Sequence, residues 1–80
     1  MDKSKIAQEV KSIIAEVLSI EASLITDDVD LMTSFNADSM DLASIVMLIE
    51  DEFSISIPET AIANLRTFKD IRDFIEKAAN

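Results

Sequence analysis

Asp38 and Ser39, adjacent in the tetrad Ala37-Asp38-Ser39-Met40, are the residues of this chain best placed to do chemistry. They stand where a polar loop, Thr33-Ser34-Phe35-Asn36, gives way to an apolar-periodic run ending near Glu52. An aspartate at that point caps the first turn of a helix, and the next residue then presents its hydroxyl at the helix N-terminus. A phosphate ester is electrostatically favoured there. Asp-Ser is also an ordinary way to begin a helix, so the tetrad alone reads as a plain cap, and the setting decides.

The residues that are missing narrow the chemistry further. The chain has neither cysteine nor histidine. That removes disulfides, zinc thiolate sites, a thiol nucleophile of its own, and the Ser-His and Cys-His pairs that depend on an imidazole base. Paired carboxylates as acid and base remain, but such pairs work in a cleft that an 80-residue helical chain can hardly build. The expectation is therefore a non-enzyme. Asp28-Val29-Asp30-Leu31-Met32 faintly suggests an EF-hand loop, but the glycine at the sixth position and the closing glutamate are both absent. No dedicated metal site is expected, although loose divalent binding by crowded carboxylates stays open.

Charge is unevenly distributed along the chain. The net charge is -9, and every cation lies in an end block: Lys3, Lys5 and Lys11 near the start, Arg66, Lys69, Arg72 and Lys77 near the end. Between Ser12 and Leu65 lie 11 acids and no cation. Such a surface repels nucleic acid and steers association with basic protein surfaces. With 49% hydrophobic residues the chain carries enough apolar matter for one small folded domain over residues 1–80. Its longest uncharged apolar stretch, Leu42 to Ile49, is too short to span a bilayer, and the N-terminus shows no cleavage-like signal. A soluble cytoplasmic protein is expected.

The elements that must position Ser39 follow from periodicity. Ile6, Val10, Ile13, Ile14, Val17 and Leu18 mark one face of a first helix, with Ser4 as its cap. From Ser19 to Ala37 the pattern lapses into a long ordered connection, anchored by Ile20, Leu24, Ile25, Val29, Leu31 and Phe35; connections of that length are more often functional than idle. A second helix runs from about Ser39 to Glu52, with Asp38 as cap and Asp41 in its first turn. It carries a core stripe of Leu42, Ile45, Val46, Ile49 and Phe53, and a further stripe of Met40, Ala43 and Met47 flanked by Glu50 and Asp51. That further stripe reads either as more core beneath the loop or as an adaptable docking surface, for which methionine is suited. Ile55-Ser56-Ile57-Pro58 is extended, Glu59 to Asn64 forms one short helix, and Thr67 opens the last helix in a shortened capping box with Asp70. Phe68, Ile71, Phe74 and Ile75 share one face of that helix. The fold class is all-α: a four-helix bundle of three longer helices and a short third one. Asn36 and Asn64 are the expected positions of positive φ.

Taken together, Asn36-Ala37-Asp38-Ser39-Met40-Asp41, the apolar helix behind it, the acidic end Glu50-Asp51-Glu52-Phe53, the Ile55 to Pro58 connector and the Thr67 helix resemble the acyl carrier protein family. The resemblance covers nearly the whole chain. It implies that Ser39, next to Asp38, is the attachment point of 4'-phosphopantetheine, transferred from coenzyme A by a holo-acyl-carrier-protein synthase. It implies that Met40, Asp41, Ala43, Met47, Glu50 and Asp51 form the docking surface for basic patches on acyl-transferring or fatty acid synthesis enzymes. Val46, Ile49, Ile57, Ile62 and Leu65 match the interior that shelters an acyl chain. The chain departs from the family pattern at Asn36, where glycine is usual, at Ser44, where an acid is usual, at Ile62, where a smaller residue is common, and through Leu42 and Leu48, which make the helix more apolar. These departures bear on the pathway served more than on the carrier role.

The expected function is a monomeric acyl carrier protein that presents thioesters to successive enzymes, in fatty acid or related lipid biosynthesis or in a specialised pathway. The alternative is an acidic helical adaptor for a basic protein partner, with Ser39 as cap or phosphorylation site.

Overall fold

The computed structural model describes residues 2–78; Met1, Ala79 and Asn80, which end the expected domain, lie outside the described residues. Helix α1 spans Lys3–Leu18 and buries Ile6, Val10, Ile13 and Ile14, the face its periodicity predicted. Its cap is Asp2, not Ser4: the Asp2 carboxylate accepts the Ser4 N–H at 2.9 Å. A carboxylate satisfies the orphan donor and the helix dipole together, and so displaces the hydroxyl from that role.

The all-helical class holds, and the long connection holds more structure than expected. It contains a 3-10 turn at Ala22–Leu24 and a short helix, α2, over Leu31–Ser34. Asp30 caps α2, accepting the N–H groups of Met32 at 2.9 Å and Thr33 at 3.2 Å. Ile25 and Leu31 are buried anchors as predicted, and Ile20, Val29 and Phe35 are half-buried. Leu24 is not an anchor: it is 54% exposed on the 3-10 turn.

Helix α3 covers Ser39–Phe53 and sends Ile45, Val46 and Ile49 into the core. After a four-residue α4 at Glu59–Ile62, helix α5 runs over Phe68–Ala78 and buries Phe68, Ile71 and Ile75. The predicted box at its start is present, with Thr67 Oγ1 accepting the Asp70 N–H and Asp70 Oδ2 accepting the Thr67 N–H, both at 3.1 Å. Helix α1 packs against both α3 and α5, whereas α4 has no comparable helix partner. Each fully buried isoleucine contributes about 1.5–3 kcal/mol of transfer free energy, and Ile6, Ile14, Ile45, Ile49, Ile71 and Ile75 place much of that contribution in α1, α3 and α5.

Positive φ falls at Ser19, Asn36 and Ser54, each near 55°. Asn36 was expected and Asn64 was not the second site. Both serines end long helices, and a chain without glycine must place other residues in the left-handed cap position.

The long connection is tied to the start of α5. Leu31 N–H donates to the Arg66 carbonyl at 2.9 Å and Lys69 N–H to the Asp27 carbonyl at 3.2 Å. Arg66 pairs with Asp30 at 3.1 Å and Arg72 with Asp27 at 3.0 Å. Arg72 and Lys11 also lie over the buried Phe68 ring, 5.4 and 5.2 Å from its centroid.

Candidate functional site

Ser39 is the first residue of α3 and is exposed. Its position is set from both sides. Asn36 turns the chain with φ 55°, and Ala37 is 8% exposed with its N–H directed to the Leu31 carbonyl at 3.4 Å, which seats the loop on α2. Beyond it, Asp38 Oδ1 accepts the Asp41 N–H at 2.9 Å while Asp41 Oδ2 accepts the Asp38 N–H at 3.2 Å. This reciprocal box uses residues the sequence had marked as cap and first-turn acid. Among the described residues, the N–H groups of Ser39 and Met40 have no acceptor outside the helix. An anionic ester on Ser39 therefore fits: the hydroxyl is open to solvent, and it stands at the positive end of the helix beside free donors.

The Met40 stripe is surface, not core. Met40 is 76% and Met47 67% exposed, and Ala43 is exposed between them. Leu48, which the docking assignment omitted, is 42% exposed and joins Met47, Glu50 and Asp51 around a shallow groove of about 460 Å³. Its signal was present in the sequence as an apolar residue outside the core stripe.

Folding redistributes the acidity. The C-terminal cations reach back to Asp27, Asp30, Asp73 and Glu76, and among the described residues no ion pair engages an acid of α3. Asp41 and Glu50 are half-buried and Asp38, Asp51 and Glu52 exposed, all without a cation. The last turn of α3 has no basic residue. Its acids oppose the negative helix end at a cost of about 0.3–1 kcal/mol each at low salt. One of them has an internal role: Glu50 Oε2 accepts the Ile57 N–H at 2.7 Å.

Val46, Ile49, Ile57 and Leu65 are buried and Ile62 is half-buried, all within one apolar cluster. The structure thus brings together the five residues matched to an acyl-sheltering interior. Leu65 also borders an open groove of about 260 Å³ lined further by Ala61, Asn64 and Phe74.

Of the two carboxylates in the failed EF-hand pattern, Asp30 is occupied, and among the described residues Asp28 makes no hydrogen bond or ion pair. Asp30 holds backbone donors and Arg66, and its carboxyl is held below the usual 3.8, chiefly by the Thr33 N–H, against the effect of burial and with help from Arg66. No group of three or more metal-ligating side chains is assembled among the described residues. Likewise no helix there is long and apolar enough to cross a membrane.

Comparison with known proteins agrees with this geometry. The family model described as "Phosphopantetheine attachment site" matches residues 8–75. The acyl carrier protein of Thermosynechococcus vestitus is 35% identical over 75 residues, covering 94% of this chain and 93% of that protein. A solved structure of acyl carrier protein from Enterococcus faecalis superposes with a TM-score of 0.84 at 29% identity, covering 98% of this chain and 99% of its own. These matches favour a carrier over an acidic adaptor. With a family match spanning both the Asp38–Asp41 box and the packed helices behind it, the chain belongs to the acyl carrier protein family, whose prosthetic group is phosphopantetheine and whose members are carriers, not enzymes.

Proposed function

We propose that Ser39 bears the 4'-phosphopantetheine arm and that the chain, one carrier domain over residues 1–80, acts as a cytoplasmic monomer carrying acyl intermediates in fatty acid or related lipid biosynthesis. The observation that carries this reading is the placement of Ser39: an exposed hydroxyl at the N-terminus of α3, held inside the Asp38–Asp41 box. When bound, the arm supplies the thiol that the chain lacks, on which an acyl group rides as a thioester.

The protein's own residues position and protect. Asp38 fixes the first turn, so that the Ser39 oxygen projects from a rigid element. Met40, Asp41, Ala43, Met47, Glu50 and Asp51 form the docking surface, joined by Leu48. Apolar contacts supply fit, and the unpaired acids recruit basic patches on the holo-synthase and on acyl-transferring enzymes. Support for this comes from the exposure of the methionines and from the α3 acids, which no ion pair engages among the described residues. Val46, Ile49, Ile57, Ile62 and Leu65 shelter the acyl chain between α3 and α4.

Incubation with coenzyme A and a holo-synthase, followed by mass spectrometry, tests the assignment. One phosphopantetheinyl group is expected on the parent and none on Ser39→Ala. Modification of the alanine variant, or of no form with any such synthase, overturns it.

A further inference from the structure

Cysteine, histidine, tryptophan and tyrosine, the side chains that compete with methionine for oxidants, are all absent from this chain. Its 4 methionines therefore carry its oxidation chemistry. Met32, Met40 and Met47 lie among the described residues, and the fold treats them differently. Met32 is half-buried on α2. Met40 and Met47, both on α3, are 76% and 67% exposed. Their spacing sets them two turns and about 10 Å apart on one face of the helix, and Met40 directly follows Ser39.

Nothing in these surroundings keeps a neutral oxidant away. The acids of α3, which no ion pair engages among the described residues, repel anions. Hydrogen peroxide is uncharged and reaches a surface thioether without that penalty. Oxidation then changes the character of the face. A flexible apolar side chain becomes a polar one, whose S–O dipole must be desolvated when a partner covers it. Because both sulfurs are already exposed in the free protein, the cost falls on association and not on folding.

We propose that Met40 and Met47 form a paired, reversible oxidation site that takes a hydroperoxide as oxidant, and that their sulfoxides close the α3 docking face to partner enzymes. The inference rests on the docking role proposed above for this face. With hydrogen peroxide, a sulfur lone pair forms an S–O bond to one peroxide oxygen and the O–O bond breaks. The departing hydroxide takes the proton of the transferred oxygen and leaves as water, so that sulfur loses two electrons and the peroxide gains them. Reduction by a dithiol returns the thioether, with a disulfide and water as products. The carrier is thus withdrawn from its partners under oxidising conditions and restored afterwards.

The test treats the full apo chain, the form on which a holo-synthase acts, with hydrogen peroxide, as the parent and as Met40→Leu/Met47→Leu. Tandem mass spectrometry assigns each sulfoxide, and Met40 and Met47 should oxidise roughly fivefold or more ahead of Met32. Oxidation should raise the synthase KM of the parent about tenfold and leave its melting temperature unchanged. A methionine sulfoxide reductase supplied with a dithiol should restore the KM. Each form is compared with its own untreated sample, and the double variant, which keeps Met1 and Met32, should show no change on treatment. Oxidation of Met32 as fast as the α3 pair would overturn the site. An equal KM rise in the double variant, or a rise accompanied by a lowered melting temperature, would assign the effect to damage elsewhere and overturn the switch. Met47→Glu separates the inference from the reading beneath it: if that variant raises KM and oxidation does not, the switch alone falls, and if neither does, the docking face falls with it. Failure of the untreated parent to accept the arm removes the carrier reading itself, and that outcome is seen before peroxide is added.

Discussion

Asp38 and Asp41 exchange hydrogen bonds across a single helical turn, each carboxylate accepting the other residue's backbone N–H. Ser39 lies between them in the chain, so its orientation depends on both. Asp38→Ala should cost about 1 kcal/mol in stability, the usual price of a lost N-cap. It should also slow arm transfer, because the first turn frays where the synthase must find the hydroxyl. Asp38→Asn keeps an acceptor and should retain most of the stability. Denaturant melts beside transfer rates check both; an alanine variant modified at the parental rate would separate capping from modification.

The αL geometry at Asn36 is already of the kind glycine would adopt, with φ 55°. Asn36→Gly should therefore leave arm transfer unchanged and alter stability by no more than about 0.5 kcal/mol, whereas Asn36→Ala should cost about 1–2 kcal/mol for a β-carbon in that region. Circular-dichroism melts of the two variants decide it. A glycine variant that is modified markedly faster would show that asparagine itself reshapes the loop.

At 67% exposure Met47 contributes little to folding but lies at the middle of the proposed docking stripe. Met47→Glu should shift stability by less than about 0.5 kcal/mol. By inserting charge into an apolar contact it should raise the holo-synthase KM roughly tenfold, a change of about 1.4 kcal/mol in docking. The effect should appear in KM and not in kcat. An unaltered KM would place docking elsewhere on the surface.

What sequence made legible was local. The apolar faces of α1, α3 and α5, the Asp38 cap and the Thr67–Asp70 box each rest on residues within a few positions of one another, and each is present in the fold. One local reading went astray because a stronger competitor stood nearby, Asp2 capping α1 ahead of Ser4; another was that Asn64 has positive φ, whereas the left-handed residues are Ser19, Asn36 and Ser54. Helix α2 was hidden because Asp30 was weighed as an ion ligand when it is a helix cap. The pairing of Asp27 with Arg72 and of Asp30 with Arg66 spans 45 and 36 residues. No spacing rule reaches that far, and so the division into neutralised loop acids and unpaired α3 acids emerges only in three dimensions.

The Asp30 carboxylate, which accepts the Thr33 N–H and pairs with Arg66, yields a pH dependence with a definite sign. The folded Asp30 carboxyl is held below its ordinary value of 3.8, so its contribution is complete above that value and is lost as pH falls below it. Asp30→Asn keeps an oxygen for the α2 cap and gives up the charge. Its melting temperature should lie below the parent's at neutral pH, with the gap closing as the solution is acidified past 3.8. A gap that persists unchanged into strong acid would assign the loss to packing instead of ionisation.

Salt should stabilise this protein, and the molecule's size says where the effect falls. The described chain measures 31 × 26 × 20 Å with a net charge of -9 on the sequence. The screening length is about 30 Å at 0.01 M ionic strength and about 8 Å at 0.15 M. At the lower concentration every acid of α3 therefore feels every other across the whole fold, and at the higher one only its neighbours. Relief of about 1 kcal/mol corresponds to about 4–8 °C in a domain of this size, so a rise of that order is expected on going to 0.15 M salt or on adding millimolar magnesium. Neutralising the unpaired acids Asp51 and Glu52 as Asp51→Asn/Glu52→Gln should raise the low-salt melt and shrink the salt response together, since both act on the same repulsion. Melts that coincide at all ionic strengths would mean that the α3 acids do not oppose folding.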